Sequence, residues 1–217
     1  MTSIAIMQPY FIPYAGYFRL FAACDLFVIY DDVQFPKEGW VHRNRLLNKN
    51  NEPTWLTLPI QRKPLATRIN EIEFLDDANK VWQEQLRKFP IMDIDSQNNP
   101  LKELIRNPGN KPLDFIVKGL ETVAKILDIP FNVKYSSDLN IGNNLKGQER
   151  VLEIVKYFGA NEYINAPGGT GLYDAGIFQK NGIELRFLPD YKGSKASILQ
   201  RLLTEDLKEI REEIYDF

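Results

Sequence analysis

Two uninterrupted apolar runs, Ile4-Ala-Ile-Met7 and Leu26-Phe-Val-Ile-Tyr30, lie close together near the head of the chain. A continuous run, as opposed to an alternating one, marks a strand buried on both faces, the pattern of parallel sheets covered by helices. Between the runs, Ala15 to Cys24 places aromatic residues at 17, 18 and 21 on one helical stripe, after Pro13 at a helix start. The unit reads as strand, crossover helix, strand, and two parallel strands can be joined in no shorter way. Ligands of open parallel sheets bind where strands end and helices begin. The groups directly after each run, Gln8 to Tyr17 and Asp31 to Gln34, are therefore the first place to look for a site.

The same rhythm continues downstream. Thr54 to Ile60 is strand-like, Ile69 to Phe74 alternates weakly, and Asn79 to Phe89 is an amphipathic helix. Asn98 to Pro112, rich in proline and asparagine, reads as a surface connection. Pro112 to Leu127 is a strong helix stopped by Asp128-Ile-Pro130, and Phe131 to Tyr135 is a strand. Gly147 to Phe158 is helical with Gly159 as its stop, Glu162 to Asn165 a strand, and Pro167 to Gly171 a turn. Leu172 to Lys180 reads as a helix, Ile183 to Leu188 as a strand, and Ser194 to Tyr215 as one charged helix. The sequence predicts an α/β, Rossmann-like fold: a mostly parallel sheet flanked by helices, in one domain over 1–217, with a helical insertion at about 76–127.

Composition removes several function classes. A net charge of −2 argues against general nucleic-acid binding, and no DNA partner is expected. The single cysteine, Cys24, cannot form an internal disulfide; among Phe21, Ala22 and Ala23 it reads as a small core residue. One histidine and one cysteine do not make a His/Cys metal site, which leaves only carboxylate-held Mg²⁺ open. The longest apolar stretch, Phe18 to Tyr30, is interrupted by Arg19 and Asp25, so no membrane insertion is expected. With no basic leader before Met7, the expected location is cytoplasmic.

Five groups of residues carry candidate chemistry. In Gln8-Pro-Tyr-Phe-Ile-Pro-Tyr-Ala-Gly-Tyr17, the helix start offers backbone N–H groups to an anion, and Tyr10, Tyr14 and Tyr17 add hydroxyls or a stacking face. Gly16 lets backbone approach closely; the structural alternative is a rigid aromatic plug. Tyr14-Ala-Gly-Tyr17 occupies the place of the H-x-G-H signature of nucleotidylyltransferases and pantothenate synthetases, with tyrosine for both histidines. Asp31, Asp32 and Gln34 close the second strand. A carboxylate there suits a ribose hydroxyl, Mg²⁺, a substrate amine or a general base, and equally suits a turn or cap.

Lys37-Glu-Gly-Trp-Val-His-Arg-Asn-Arg45 is the densest polar cluster. If extended, Trp40, His42 and Asn44 share one side while Val41, Arg43 and Arg45 share the other. Two arginines so spaced can grip phosphate or carboxylate, and His42 titrates nearest neutrality, although a lone histidine is more often structural. Asn165-Ala-Pro-Gly-Gly-Thr-Gly171 brings Gly168 and Gly169 to a strand-to-helix turn that can offer N–H groups to an anion, or be a tight turn only. Lys195 and Ser197 precede the last helix within reach of a phosphate.

On Met7 to Phe18, Phe27 to Phe35, Gly39 to Arg45 and Tyr163 to Gly169, the chain resembles the WbqC-like protein family over essentially its full length. It departs from that pattern at Lys195-Ala-Ser-Ile-Leu-Gln200, where the family shows Leu-Ser-Ile-Ile-Asp. The family is associated with bacterial surface-polysaccharide and O-antigen clusters. The resemblance implies transfer of glycine or another small acyl group to a nucleotide-linked amino sugar.

The donor is left open among an adenylate made from ATP with Mg²⁺, an aminoacyl-tRNA and a thioester. Under that reading Tyr14, Tyr17 and Arg43 hold donor phosphates, and Asp31, Asp32 or His42 accepts the amine proton. Gly168 and Gly169 face the sugar nucleotide. A non-catalytic sugar-nucleotide-binding or scaffolding protein and a nucleotidylyltransferase-like enzyme are the alternatives.

Overall fold

The computed structural model describes residues 2–94, 99–142 and 144–217. The opening runs form β1 (Ser3–Met7) and β2 (Leu26–Ile29), paired in parallel from Ile4↔Leu26 to Met7↔Ile29. A 3₁₀ turn, Ala15–Phe18, leads directly into α1 (Arg19–Ala23) between them. After β2 the chain leaves the sheet for an antiparallel hairpin, β3 (Arg43–Leu47) and β4 (Pro53–Thr57). The helices α2 (Ala78–Leu86), α3 (Pro100–Arg106) and α4 (Pro112–Ile126) follow.

The chain returns as β5 (Val133–Tyr135) beside β2. Then α5 (Gly147–Tyr157) carries it across to β6 (Glu162–Asn165), on the other flank of β1, and α6 (Ala175–Lys180) leads to β7 (Glu184–Phe187). Two helices, α7 (Ile198–Thr204) and α8 (Leu207–Tyr215), end the structure. The five parallel strands run β5-β2-β1-β6-β7. This is the Rossmann-like α/β arrangement that alternating strands and helices predict.

Alternate residues of the central strands feed two apolar layers. Ala5, Phe27, Ile29 and Ile164 join one core with α1, α4, α7 and α8, whereas Ile4, Ile6, Val28 and Tyr163 join a second with α5 and α6. The phenyl rings of Phe21 and Phe27 stack at 3.9 Å, with Phe131 at 5.2 Å from Phe21, fixing α1 against β2. Each such buried ring contributes on the order of 1.5–3 kcal/mol relative to exposure.

The segment 76–127 carries α2, α3 and α4, and the β3–β4 hairpin precedes it. Its apolar face does not form a separate core: Trp82 and Phe115 lie 6.0 and 5.9 Å from Phe11, in the loop after β1.

Four segments depart from the sequence pattern. The connection expected at Asn98 to Pro112 contains α3, which starts on Pro100 with the Asn99 side chain accepting from Leu101 and Lys102 N–H; Asn98 lies outside the described residues. Proline at a first helical position stops nothing. Ile69 to Phe74 is a short 3₁₀ turn (Ile69–Glu71) with one isolated bridge, Ile60↔Phe74. Leu172 stays in a 3₁₀ segment, Pro167–Leu172, and α6 waits for Asp174, whose carboxylate caps Gly176 N–H. The expected final helix is two helices: Glu205 is extended, and Asp206 caps the second through Lys208 N–H.

Candidate functional site

The strand order puts β1 and β6 side by side while the chain leaves them in opposite directions, which makes their carboxyl ends the switch point of the sheet. Gln8 emerges from β1 half-buried, and its carbonyl accepts the Tyr17 hydroxyl at 2.8 Å. Tyr17 is buried beneath Tyr10, whose ring lies 5.3 Å away. Burial above all pushes Tyr10, Tyr14 and Tyr17 upward from the ordinary phenol value, so each remains a neutral hydroxyl. Asn165 closes β6 buried, its Oδ1 accepting Ala166 N–H. A Cβ at Gly169 would stand 2.6 Å from Asn165 Nδ2 and would displace that buried amide, whereas Gly168 is exposed.

The helix start after β1 is not the open anion seat expected from the sequence. It is a four-residue 3₁₀ turn, and the rings of Tyr14 and Tyr191 close over Gly16, where a Cβ would meet them at 2.3 and 2.7 Å. Gly16 itself remains half-buried rather than sealed. Ser197 does not wait for a phosphate: its buried hydroxyl donates to the Ile12 carbonyl at 2.8 Å, while Lys195 is exposed.

Asp31 and Asp32 are brought together but engaged. Asp31, buried at the end of β2, accepts from Ser136 Oγ at 3.0 Å, Ser137 N–H at 3.0 Å and Ser137 Oγ at 2.7 Å. It ties β2 to the turn after β5. Asp32 accepts from Ser136 Oγ at 2.6 Å and forms an ion pair with Arg150 of α5, both side chains 7% exposed. Tyr30 lies in the same network, its hydroxyl pushed up to about 12 chiefly by burial, against the opposing charge of Arg150. Carboxylates so occupied are weak candidates for a free base and present no preformed Mg²⁺ cradle. Among the described residues, no group of three or more His, Cys, Asp or Glu is placed to hold a metal.

The hairpin brings the remaining candidates together. Gln34 donates to the Leu65 carbonyl at 2.9 Å, and Lys37 is exposed on the turn before β3. Asn44 is buried and donates to the carbonyls of Phe11 (3.1 Å) and Ile12 (2.7 Å), while its Oδ1 accepts Arg45 N–H. Trp40 O accepts Phe11 N–H at 2.9 Å, so hairpin and β1 loop are joined on both sides.

On the opposite face, Arg43 and Arg45 lie over the Trp55 ring at 4.4 and 4.6 Å. Register explains this: Arg45 pairs with Trp55, and Arg43 is two residues along the same face. Trp40 does not side with Asn44 as strict alternation predicts. The strand begins only at Arg43, and Trp40, 44% exposed, packs 5.3 Å from Trp55 on the arginine face.

His42 sits at the base of this arrangement, 7% exposed and edge-on to Phe35 at 4.9 Å. Burial first, and then the neighbouring Arg43 charge, pull its pKa down to about 4, so the imidazole is neutral near pH 7. Among the described residues, His42 Nδ1 and Arg43 Nε are buried without a hydrogen-bond partner, as is Arg19 Nε elsewhere. Each such atom costs about 1–3 kcal/mol unless something satisfies it.

Sequence reasoning missed Trp55, Ser136, Ser137, Arg150 and Tyr191. Trp55 had a signal, since it leads a strand-like run and shares a face with Thr57; the others meet their partners only through the fold. Cys24 behaves as a core residue, its thiol pushed up to about 12 by burial. No described helix is long and apolar enough to cross a membrane.

The family model described as the WbqC-like protein family matches residues 8–195. Among curated proteins the chain is similar to an uncharacterised protein of Mycobacterium tuberculosis (strain ATCC 25618 / H37Rv), Rv1507c. They are 27% identical over 198 residues, covering 89% of this chain and 84% of that protein. No solved structure matches significantly.

Proposed function

Because the chain belongs to the WbqC-like protein family, we propose that it joins a small carboxylic or amino acid, glycine being the simplest, to the amine of a nucleotide-linked sugar. The reaction is an acyl or aminoacyl transfer. The amine nitrogen attacks the carbonyl of an activated donor, the C–N bond forms, the bond to the leaving group breaks, and the amine loses a proton.

One observation carries the reading. His42 Nδ1 and Arg43 Nε, adjacent in sequence, are both buried and, among the described residues, both without a hydrogen-bond partner. A polar ligand that reached either atom would offset its deficit. Arg43, with Arg45 beside it, supplies charge for phosphates, and a neutral imidazole accepts the proton leaving the amine. A phosphate beside Arg43 cancels part of the charge that depresses His42 and makes it a better base when substrate is bound. Tyr17, engaged with Gln8, serves to shape the β1 loop in this account, and Asp31 and Asp32 hold the strand ends.

The engagement of both aspartates favours one rival, a non-catalytic sugar-nucleotide-binding protein of the same pathway. Incubation of the purified chain with a nucleotide-linked amino sugar decides between them. Three donor systems are supplied separately: ATP with Mg²⁺ and glycine, glycyl-tRNA, and an acyl thioester. A product heavier by one acyl group, and its loss in His42→Gln or Arg43→Ala, is expected. Absence of product with every donor class, from protein that binds the sugar nucleotide, overturns the transferase in favour of the rival.

A further inference from the structure

We infer that Trp40, Trp55, Arg43 and Arg45 form a platform that takes a nucleoside diphosphate, the base lying on the exposed Trp40 indole and the diphosphate across the two guanidinium edges. This deepens the transferase reading by assigning the nucleotide end of the acceptor to the hairpin, but its support is independent of any turnover.

Three observations converge. First, both guanidinium groups lie over one indole, at 4.4 and 4.6 Å. With Arg43 Nε buried, the donors offered to a phosphate are the terminal N–H groups of Arg43 and the exposed Arg45 guanidinium. Second, no carboxylate among the described residues answers these charges. Arg150, Arg186 and Arg201 each pair with Asp or Glu, whereas among the described residues neither Arg43 nor Arg45 has an ion pair or a side-chain hydrogen bond. Two uncompensated cations two residues apart on one strand, about 7 Å along the backbone, suit a multiply charged anion.

Third, Trp40 is 44% exposed and tilted against Trp55 at 5.3 Å, presenting an aromatic surface next to the charges. Every nucleobase has a π-face that stacks on such a surface. Trp40 O also accepts Phe11 N–H, which joins the platform's edge to the β1 loop.

The test is direct binding to the full-length chain, by calorimetry and by quenching of tryptophan fluorescence, with UDP, ADP, uridine, pyrophosphate and a short single-stranded RNA. UDP and ADP are expected to bind alike, because stacking does not read base edges. Arg45→Ala and Trp40→Ala, both at exposed positions, are expected to weaken UDP about tenfold or more. Pyrophosphate should respond to Arg45→Ala and not to Trp40→Ala.

UDP affinity unchanged in both variants, with their melting temperatures intact, overturns the platform, as does RNA binding more than a hundredfold tighter than UDP. Platform-dependent UDP binding without turnover on any donor leaves the platform standing and removes the transferase. Turnover with an unchanged KM in both variants does the reverse.

Discussion

Asn44 and Ser197, from opposite ends of the fold, donate to the same acceptor, the Ile12 carbonyl, at 2.7 and 2.8 Å. Ile12 has φ +40°, a backbone setting that a β-branched residue strongly disfavours. The two donors hold the strained residue from both sides, and Ile198 N–H adds a bond to the next carbonyl, Pro13 O. The loop after β1 is thus clamped between the hairpin and the start of α7, and the groups after β1 are positioned by residues remote in sequence.

Removal of Asn44 leaves the Phe11 carbonyl without its side-chain donor and Ile12 O with Ser197 alone. Asn44→Ala is expected to lower stability by roughly 2–3 kcal/mol and Ser197→Ala by about 1 kcal/mol. Since Ile12 O keeps one donor in each single variant and loses both in the double, the double variant should exceed the sum by at least about 0.5 kcal/mol, measured by urea unfolding. Additivity within a few tenths would mean that the two bonds do not act through one carbonyl.

Gly16 makes a different demand. A methyl group there meets Tyr14 Cε2 at 2.3 Å and Tyr191 at 2.7 Å, so two half-buried rings must move. Gly16→Ala should cost about 1–3 kcal/mol by overpacking. Adding Tyr191→Ala, which opens one side, should recover part of that loss. If Gly16→Ala unfolds at the same urea concentration as the parent, the rings do not close as described.

What could be read from sequence follows from where each signal resides. β1, β2 and β6 were legible because burial on both faces makes their apolar runs continuous, and the stop at Gly159 because only a positive φ, here 62°, ends the helix that way. Of the hairpin, β4 was legible as the strand-like run from Thr54, whereas β3 and the pairing were not. Arg43 and Arg45 give β3 a charged face whose logic appears only once Trp55 is opposite, and that pairing is a tertiary fact. For the same reason the aspartates could be read equally as chemical groups or as turn and cap residues: Ser136, Ser137 and Arg150 stand far along the chain and reach Asp31 and Asp32 only through the fold. The Arg43–Arg45 pair and His42 were singled out by local chemistry alone, since two cations and the one histidine fall in a single short segment.

The Asp32–Arg150 pair sits almost out of water, so losing one partner strands the other. Asp32→Ala or Arg150→Ala alone should cost about 3–5 kcal/mol, whereas an apolar replacement of both at similar volume should cost far less. Thermal unfolding of the three variants measures this. Single variants within about 1 kcal/mol of the parent would show that the pair is solvated and contributes little.

His42 supplies the sharpest pH prediction because it is the only histidine. Its folded pKa, about 4, lies below the ordinary 6.5. Above pH 6.5 the ring is neutral in both states. As pH falls from 6.5 toward 4, the unfolded chain takes a proton that the folded chain refuses, so stability declines through that window. His42→Gln lacks this contribution and should lose less stability between pH 6.5 and 4 than the parent, while carboxylate effects remain common to both. Proton NMR of the single imidazole should give a titration midpoint near 4 in the free protein. Since Arg43 is one cause of the depression, saturating UDP should raise that midpoint, and Arg43→Ala should raise it without UDP. A free-protein midpoint near 6.5 would show the ring solvated and would remove His42 from the buried pair on which the transferase reading stands.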